Sequence, residues 1–153
     1  MSSKIKRDPT ITNHQRMVID IIHTANWLDR KISIISKGYG ITHAQFNILK
    51  NLQAAIPEPL SVKEIKDTIM FTNSDVTRLI DRLVLKGLLY RNTCAINRRK
   101  VDISITEEAT VLLNTITEEY RIEFANFFDK DITNEEALRT SDILRLVRNK
   151  KNL

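Results

Sequence analysis

Apolar residues recur along this chain at two spacings, and the two periods assign its elements. From roughly Thr12 to Lys37, Val18, Ile21, Ile22, Ala25, Leu28, Ile32 and Ile35 follow a helical period, while Ile19, Trp27 and Ile34 fall on another side. A lone surface helix needs only one apolar stripe. This first helix is therefore predicted to pack both against its own domain and against something else. Gly38 and Gly40 supply a left-handed stop at its end.

The segments that follow are short and well punctuated. Thr42-His43-Ala44-Gln45 is a capping box that opens a helix to about Ala55, with Phe46, Leu49, Leu52 and Gln53 in register. Pro57 and Pro59 break the chain and leave a short extended piece around Leu60. Ser61-Val62-Lys63-Glu64 is a second capping box, opening a short helix to about Ile69. After a tight connection at Met70-Phe71, Thr72 or Asn73 is expected to cap a helix over about Ser74 to Lys86, with Asp75 in its first turn. Val76, Leu79, Ile80, Leu83 and Val84 give that helix one apolar face. Ser74, Thr77, Arg78, Asp81 and Arg82 lie away from it, and Gly87 ends it.

The period then changes to two. Leu88 to Thr93 reads as a strand, and Lys100 to Ile105 alternates strictly, with Val101, Ile103 and Ile105 on one face. Cys94 to Arg99 forms the turn between them. Thr106 caps a long helix to about Asp129, with Ala109, Leu112, Leu113, Ile116, Tyr120, Phe124 and Phe127 as its stripe. Thr133-Asn134-Glu135-Glu136 opens a last helix carrying Ala137, Leu138, Leu144 and Val147. The order α-α-α-α-β-β-α-α predicts a mainly α fold with a small β-hairpin wing, that is, a winged helix-turn-helix. There is no internal repeat or low-complexity tract.

Composition changes this picture at a few points. The length of 153 residues suits one domain, and 42% hydrophobic with 28% charged residues is a globular balance. The apolar runs are too short to span a bilayer, and the opening MSSKIKRDPT has no apolar run of the kind a secretory signal needs. A single cysteine excludes an internal disulfide and fits a reducing cytoplasm. Net charge is +5, unevenly spread: residues 61–105 hold nine Lys/Arg against five Asp/Glu, and residues 106–140 hold three against nine. A localised basic surface is what attraction to a phosphate backbone requires.

Two short helices joined by a tight turn place the second across the first, with its polar N-terminal half free to enter a major groove. Side chains there must pair with base edges, which Asn73, Ser74, Thr77 and Arg78 can do, with Arg82 one turn further on. Ser61, at the start of the preceding helix, joins the DNA-binding set. The hairpin tip Asn97-Arg98-Arg99-Lys100 carries three adjacent cations, and a narrow minor groove offers the negative potential to receive them. The candidate contacts are therefore Ser61, Asn73, Ser74, Thr77, Arg78, Arg82, Arg98, Arg99 and Lys100.

The run from Asp75 to Thr106 resembles the signature of the multiple-antibiotic-resistance regulator (MarR) family of bacterial transcription factors. The matching residues are Val76-Thr77-Arg78-Leu79-Ile80-Asp81-Arg82-Leu83, Lys86-Gly87-Leu88-Leu89, Arg98-Arg99 and Ile105-Thr106-Glu107. The sequence departs from the pattern at Asn97, where an aspartate is usual, and at Glu108-Ala109, where lysine-glycine is common. The resemblance implies a single domain over residues 1–153, with the winged helix at about 42–106 and dimerisation helices at about 10–37 and 107–151. It further implies a homodimer on double-stranded DNA with half-sites ~10 bp apart. A small aromatic or anionic effector would bind between the dimer helices and the reading lobe, with His23, Trp27 and Phe46 as candidate lining. Some relatives sense oxidants through a cysteine in the first helix; here the single cysteine, Cys94, falls in the wing instead.

No catalytic or cofactor chemistry emerges from the sequence. Cys94 with His14, His23 and His43 has no metal-ligand spacing, and there is no P-loop, dinucleotide, nucleophile-elbow or zinc-protease motif. The expectation is a regulator without cofactor, not an enzyme. A winged-helix module that docks a protein partner is the other class to weigh. Its docking face would favour apolar and aromatic anchors, whereas this face carries Ser, Thr, Arg and Asp.

Overall fold

The computed structural model describes residues 10–69, 75–93 and 101–149. Within them the elements run α1 (Asn13–Gly38), α2 (His43–Ala55), β1 (Leu60–Ser61), α3 (Val62–Thr68), α4 (Val76–Leu85), β2 (Leu89–Thr93), β3 (Val101–Ile105), α5 (Glu107–Phe128) and α6 (Asn134–Arg148). The fold is the mainly helical winged helix that the two periods predict. β3 is the middle strand of a three-stranded antiparallel sheet ordered β1-β3-β2, with Leu60 and Arg91 both opposite Ile103.

The core gathers around α2. Ile48, Leu49 and Leu52 of α2, Ile65 of α3, Ile80 and Leu83 of α4, Ile103 of β3, and Leu113 and Ile116 of α5 are all fully buried. Burying one such side chain stabilises the fold by about 1.5–3 kcal/mol, so α2 fixes where α3, α4 and α5 sit around it. α6 contributes no buried residue.

The predicted helix starts hold at three capping boxes, Thr42 with Gln45, Ser61 with Glu64, and Thr133 with Glu136, and the structure adds a fourth, Thr12 with Gln15, at the start of α1. The start of α4 corrects the sequence reading. Its N-cap is Asp75, whose carboxylate accepts the Arg78 backbone N–H at 3.2 Å, so the helix begins at Val76 rather than Ser74. Thr72, Asn73, Ser74 and Asp75 are four successive residues of good capping type, and the sequence alone does not rank them. At the end of α1, Gly38 remains helical and Gly40 alone takes the left-handed conformation, at φ 72°.

Polar contacts tie the outer helices to the core. Tyr120 donates its hydroxyl proton to the Ile32 carbonyl (3.0 Å) and so accepts from the buried Ser36 hydroxyl (2.5 Å). Its ring meets Phe46 edge-on, with centroids 5.0 Å apart. Burial pushes the Tyr120 phenol up from its ordinary pKa. Tyr39 donates to the Glu119 carboxylate, a hydrogen bond that raises the Tyr39 pKa. His43 and Asp29 pair at 2.5 Å, joining α2 to α1.

Candidate nucleic-acid interface

α4 is two-faced because its apolar residues recur every three or four positions. Val76, Ile80 and Leu83 are buried, Leu79 and Val84 pack on the core, and Thr77, Arg78, Asp81, Arg82 and Leu85 fall on the opposite side. Arg78 has 78% of its side chain exposed and only a loose 3.9 Å approach to Asp75. Arg82 is exposed, and its backbone carbonyl accepts the Lys86 N–H at 3.2 Å. Thr77 is half-buried.

Asp81 takes another partner. Its carboxylate accepts from the Arg91 guanidinium at 2.5 Å, joining α4 to β2 across the edge of the sheet. Alternate residues of a strand share a face. Arg91 therefore lies on the same face as the buried Leu89, at the point where β2 leaves the core and still reaches α4. Arg91 was absent from the sequence-derived set. Strand parity with Leu89 is the signal that identifies it.

The end of α4 is also anchored. Gly87 turns the chain at φ 70°, and its carbonyl accepts the Thr106 hydroxyl at 3.0 Å. Lys86 donates from Nζ to the Gly40 carbonyl at 2.7 Å, binding the stop of α4 to the stop of α1.

Ser61 is placed differently from a free DNA contact. As the N-cap of α3 it accepts from the Glu64 N–H at 3.2 Å and donates its hydroxyl to the Glu64 carboxylate at 2.6 Å. Lys63 and Lys66, on the same short helix, are exposed cations that the candidate set omitted. Asn73, Ser74, Arg98, Arg99 and Lys100 lie outside the described residues, as does Cys94.

The three candidate effector residues are spread over different surroundings. Phe46 is a core residue, 8% exposed, against Tyr120. Trp27 stands on the outer part of α1 with its ring 4.9 Å from that of Phe127. His23, one turn before Trp27, is exposed. A groove of about 520 Å³ lies elsewhere, between α1 (Met17, Ile21, Leu28) and α6 (Ile143, Leu144). No group of metal-ligating side chains occurs among the described residues, and none of their helices is long and apolar enough to cross a membrane.

A short capped helix, a two-faced second helix and an antiparallel sheet behind it define a winged helix-turn-helix protein. Residues 41–101 match the model of the MarR family. The chain is 32% identical over 94 residues to the HTH-type transcriptional regulator PecS of Dickeya dadantii, covering 61% of this chain and 57% of PecS. Solved structures extend the likeness of fold to the outer helices. The organohalide-sensing RdhR transcriptional regulator in its 2,4-dichlorophenol-bound form superposes with a TM-score of 0.78 at 19% identity, over 95% of this chain and 87% of that one. A variant of MarR from Escherichia coli complexed with operator DNA superposes with a TM-score of 0.70 at 24% identity, over 84% and 91%.

Proposed function

We propose that the chain is a sequence-specific, DNA-binding transcriptional regulator that acts in the cytoplasm as a homodimer on a pseudo-palindromic operator. The observation that carries this reading is the division of α4 into a buried apolar face and an outward face of Thr77, Arg78 and Arg82. Arginine and threonine are side chains that pair with base edges and phosphates in a major groove. The operator complex of the structurally similar MarR variant supports it. Arg98, Arg99 and Lys100 of the wing, with Asn73 and Ser74, complete the proposed contacts. Ser61 acts by capping α3.

The homodimer reading is supported by apolar side chains that the protomer leaves in solvent. Ile34 of α1 and Leu146 of α6 are each 68% exposed, and Val18, Ile22, Leu138 and Ile143 are exposed with them. The described residues of one protomer leave these side chains of both helices uncovered, and a two-fold copy presents the same surface in return. The RdhR complex supports a response to a small aromatic or anionic effector. Trp27 and His23 on α1 are its candidate contacts, together with Phe46 of α2.

The test is fluorescence anisotropy on duplexes selected from genomic fragments, at about 50 and 200 mM salt. The expected result is binding to the selected duplex that weakens steeply with salt, by a species of twice the chain mass in light scattering. Binding with no preference over a scrambled duplex would overturn the regulator reading, and a monomer bound to a single half-site would overturn the homodimer.

A further inference from the structure

We propose that Asp81 and Arg91 form a positioning pair, through which the sheet behind the wing and the reading helix α4 address the duplex as one body. The inference rests on the DNA-binding reading above. It starts from an anomaly: Asp81 sits on the outward face of α4, one turn after Thr77 and Arg78 and beside Arg82. A carboxylate there repels phosphate, so Coulomb attraction alone favours its removal.

The structure supplies a reason for it. Asp81 is engaged by Arg91 at 2.5 Å, with 48% and 38% of the two side chains exposed. A pair this open adds little to folding stability, so its consequence lies in geometry. Arg91 is the middle residue of β2, opposite Ile103 in the register. β2 is an edge strand, held by β3 on one side alone. Beyond Leu89 no residue of β2 is buried. The ion pair is thus the polar link that continues the α4–β2 packing outward, past the point where apolar contacts stop. It also cancels the Asp81 charge, leaving the net positive charge of the face to Arg78 and Arg82.

Positioning and charge predict opposite signs for one substitution. Asp81→Asn raises the charge of the reading face by one, which by electrostatics alone tightens binding to every duplex. Under the proposal it loosens β2 from α4, and the ratio of affinities for selected over scrambled duplex falls by about three- to tenfold. Arg91→Gln lowers the same ratio. Because the two residues act as one unit, Asp81→Asn/Arg91→Gln falls no further than the worse single variant. Far-UV circular dichroism and thermal unfolding of each variant, matching the parent, show that the change is not loss of fold.

Three results overturn the inference. The first is a specificity ratio unchanged in Asp81→Asn. The second is an Arg91→Gln effect undiminished in the Asp81→Asn background with a salt slope reduced by about one, which makes Arg91 a phosphate contact. The third is failure of the parent to prefer any duplex, which removes the DNA-binding reading and this inference with it. The first two leave that reading standing.

Discussion

Replacing Tyr120 with Phe removes one oxygen from the contact between α1 and α5 and leaves the ring in place against Phe46. In the parent that oxygen receives the Ser36 proton at 2.5 Å and donates its own to Ile32 at 3.0 Å. Ser36 is fully buried, so its hydroxyl loses its partner with no water to replace it. An unsatisfied buried donor costs about 1–3 kcal/mol, and the second bond has a net worth of about 0.5–1.5 kcal/mol. Phenylalanine avoids the desolvation of a phenol, which offsets part of the loss. The expected destabilisation is about 2 kcal/mol, equivalent to a fall in Tm of ~4–8 °C for a chain of this size. Urea unfolding at fixed protomer concentration measures it, since a dimer's midpoint moves with concentration. The cycle with Ser36→Ala is the sharper test. Removing both partners is nearly neutral relative to the single change, so Ser36→Ala stabilises the Tyr120→Phe background and destabilises the parent. Equal effects of Ser36→Ala in both backgrounds would refute the reasoning. The raised Tyr120 pKa adds a check at alkaline pH: the folded protein holds the proton longer than the unfolded chain. Its stabilising share is therefore full below the ordinary tyrosine value of ~10 and fades as pH rises through the folded value.

Other perturbations have equally definite outcomes. Arg78→Ala is expected to weaken binding to a selected duplex by about 1–3 kcal/mol and to relax preference at one base position, measured by anisotropy across single-base variants. Arg82→Ala, if it meets phosphate, weakens binding evenly and lowers the salt slope by about one. Gly87→Ala meets no neighbouring atom within 4 Å of the new Cβ but holds φ at 70°. The cost is that of the left-handed backbone alone, about 1–2 kcal/mol in a thermal melt. Glu136 accepts the Thr133 N–H and hydroxyl, which hold its carboxyl below the ordinary glutamate range. This support for α6 is full above the unfolded value of ~4.3 and is lost as pH falls through the lowered folded value. An NMR titration should find Glu136 low in the parent and less lowered in Thr133→Ala, which loses the hydroxyl but keeps the backbone N–H.

Much of this was legible in the sequence because the relevant physics is local. Capping boxes lie within four residues, so the starts of α2, α3 and α6 could be named from Thr42, Ser61 and Thr133. The strict alternation Val101, Ile103, Ile105 gave β3 for the same reason. The cap of α4 was not decidable, since Asp75 follows three other good caps and only the surrounding chain selects it. The Asp81–Arg91 and Lys86–Gly40 contacts were invisible because they join residues ten and forty-six positions apart. Phe46 shows a different limit. An aromatic at helical spacing is read equally well as pocket lining or core, and burial alone separates the two.

The contact between Lys86 and Gly40 has a mechanical meaning for α4. The helix is held firmly at its C-terminal end, while the side chains proposed to touch DNA sit near the other end. Arg78 is eight residues from the anchor, about 12 Å along the axis. A tilt of only about 5° around Lys86 therefore carries Arg78 sideways by about 1 Å, enough to stretch an ordinary ~2.9 Å hydrogen bond beyond its range. A small change at the end of α1 is thus transmitted, enlarged, to the side chains proposed to read the base edge.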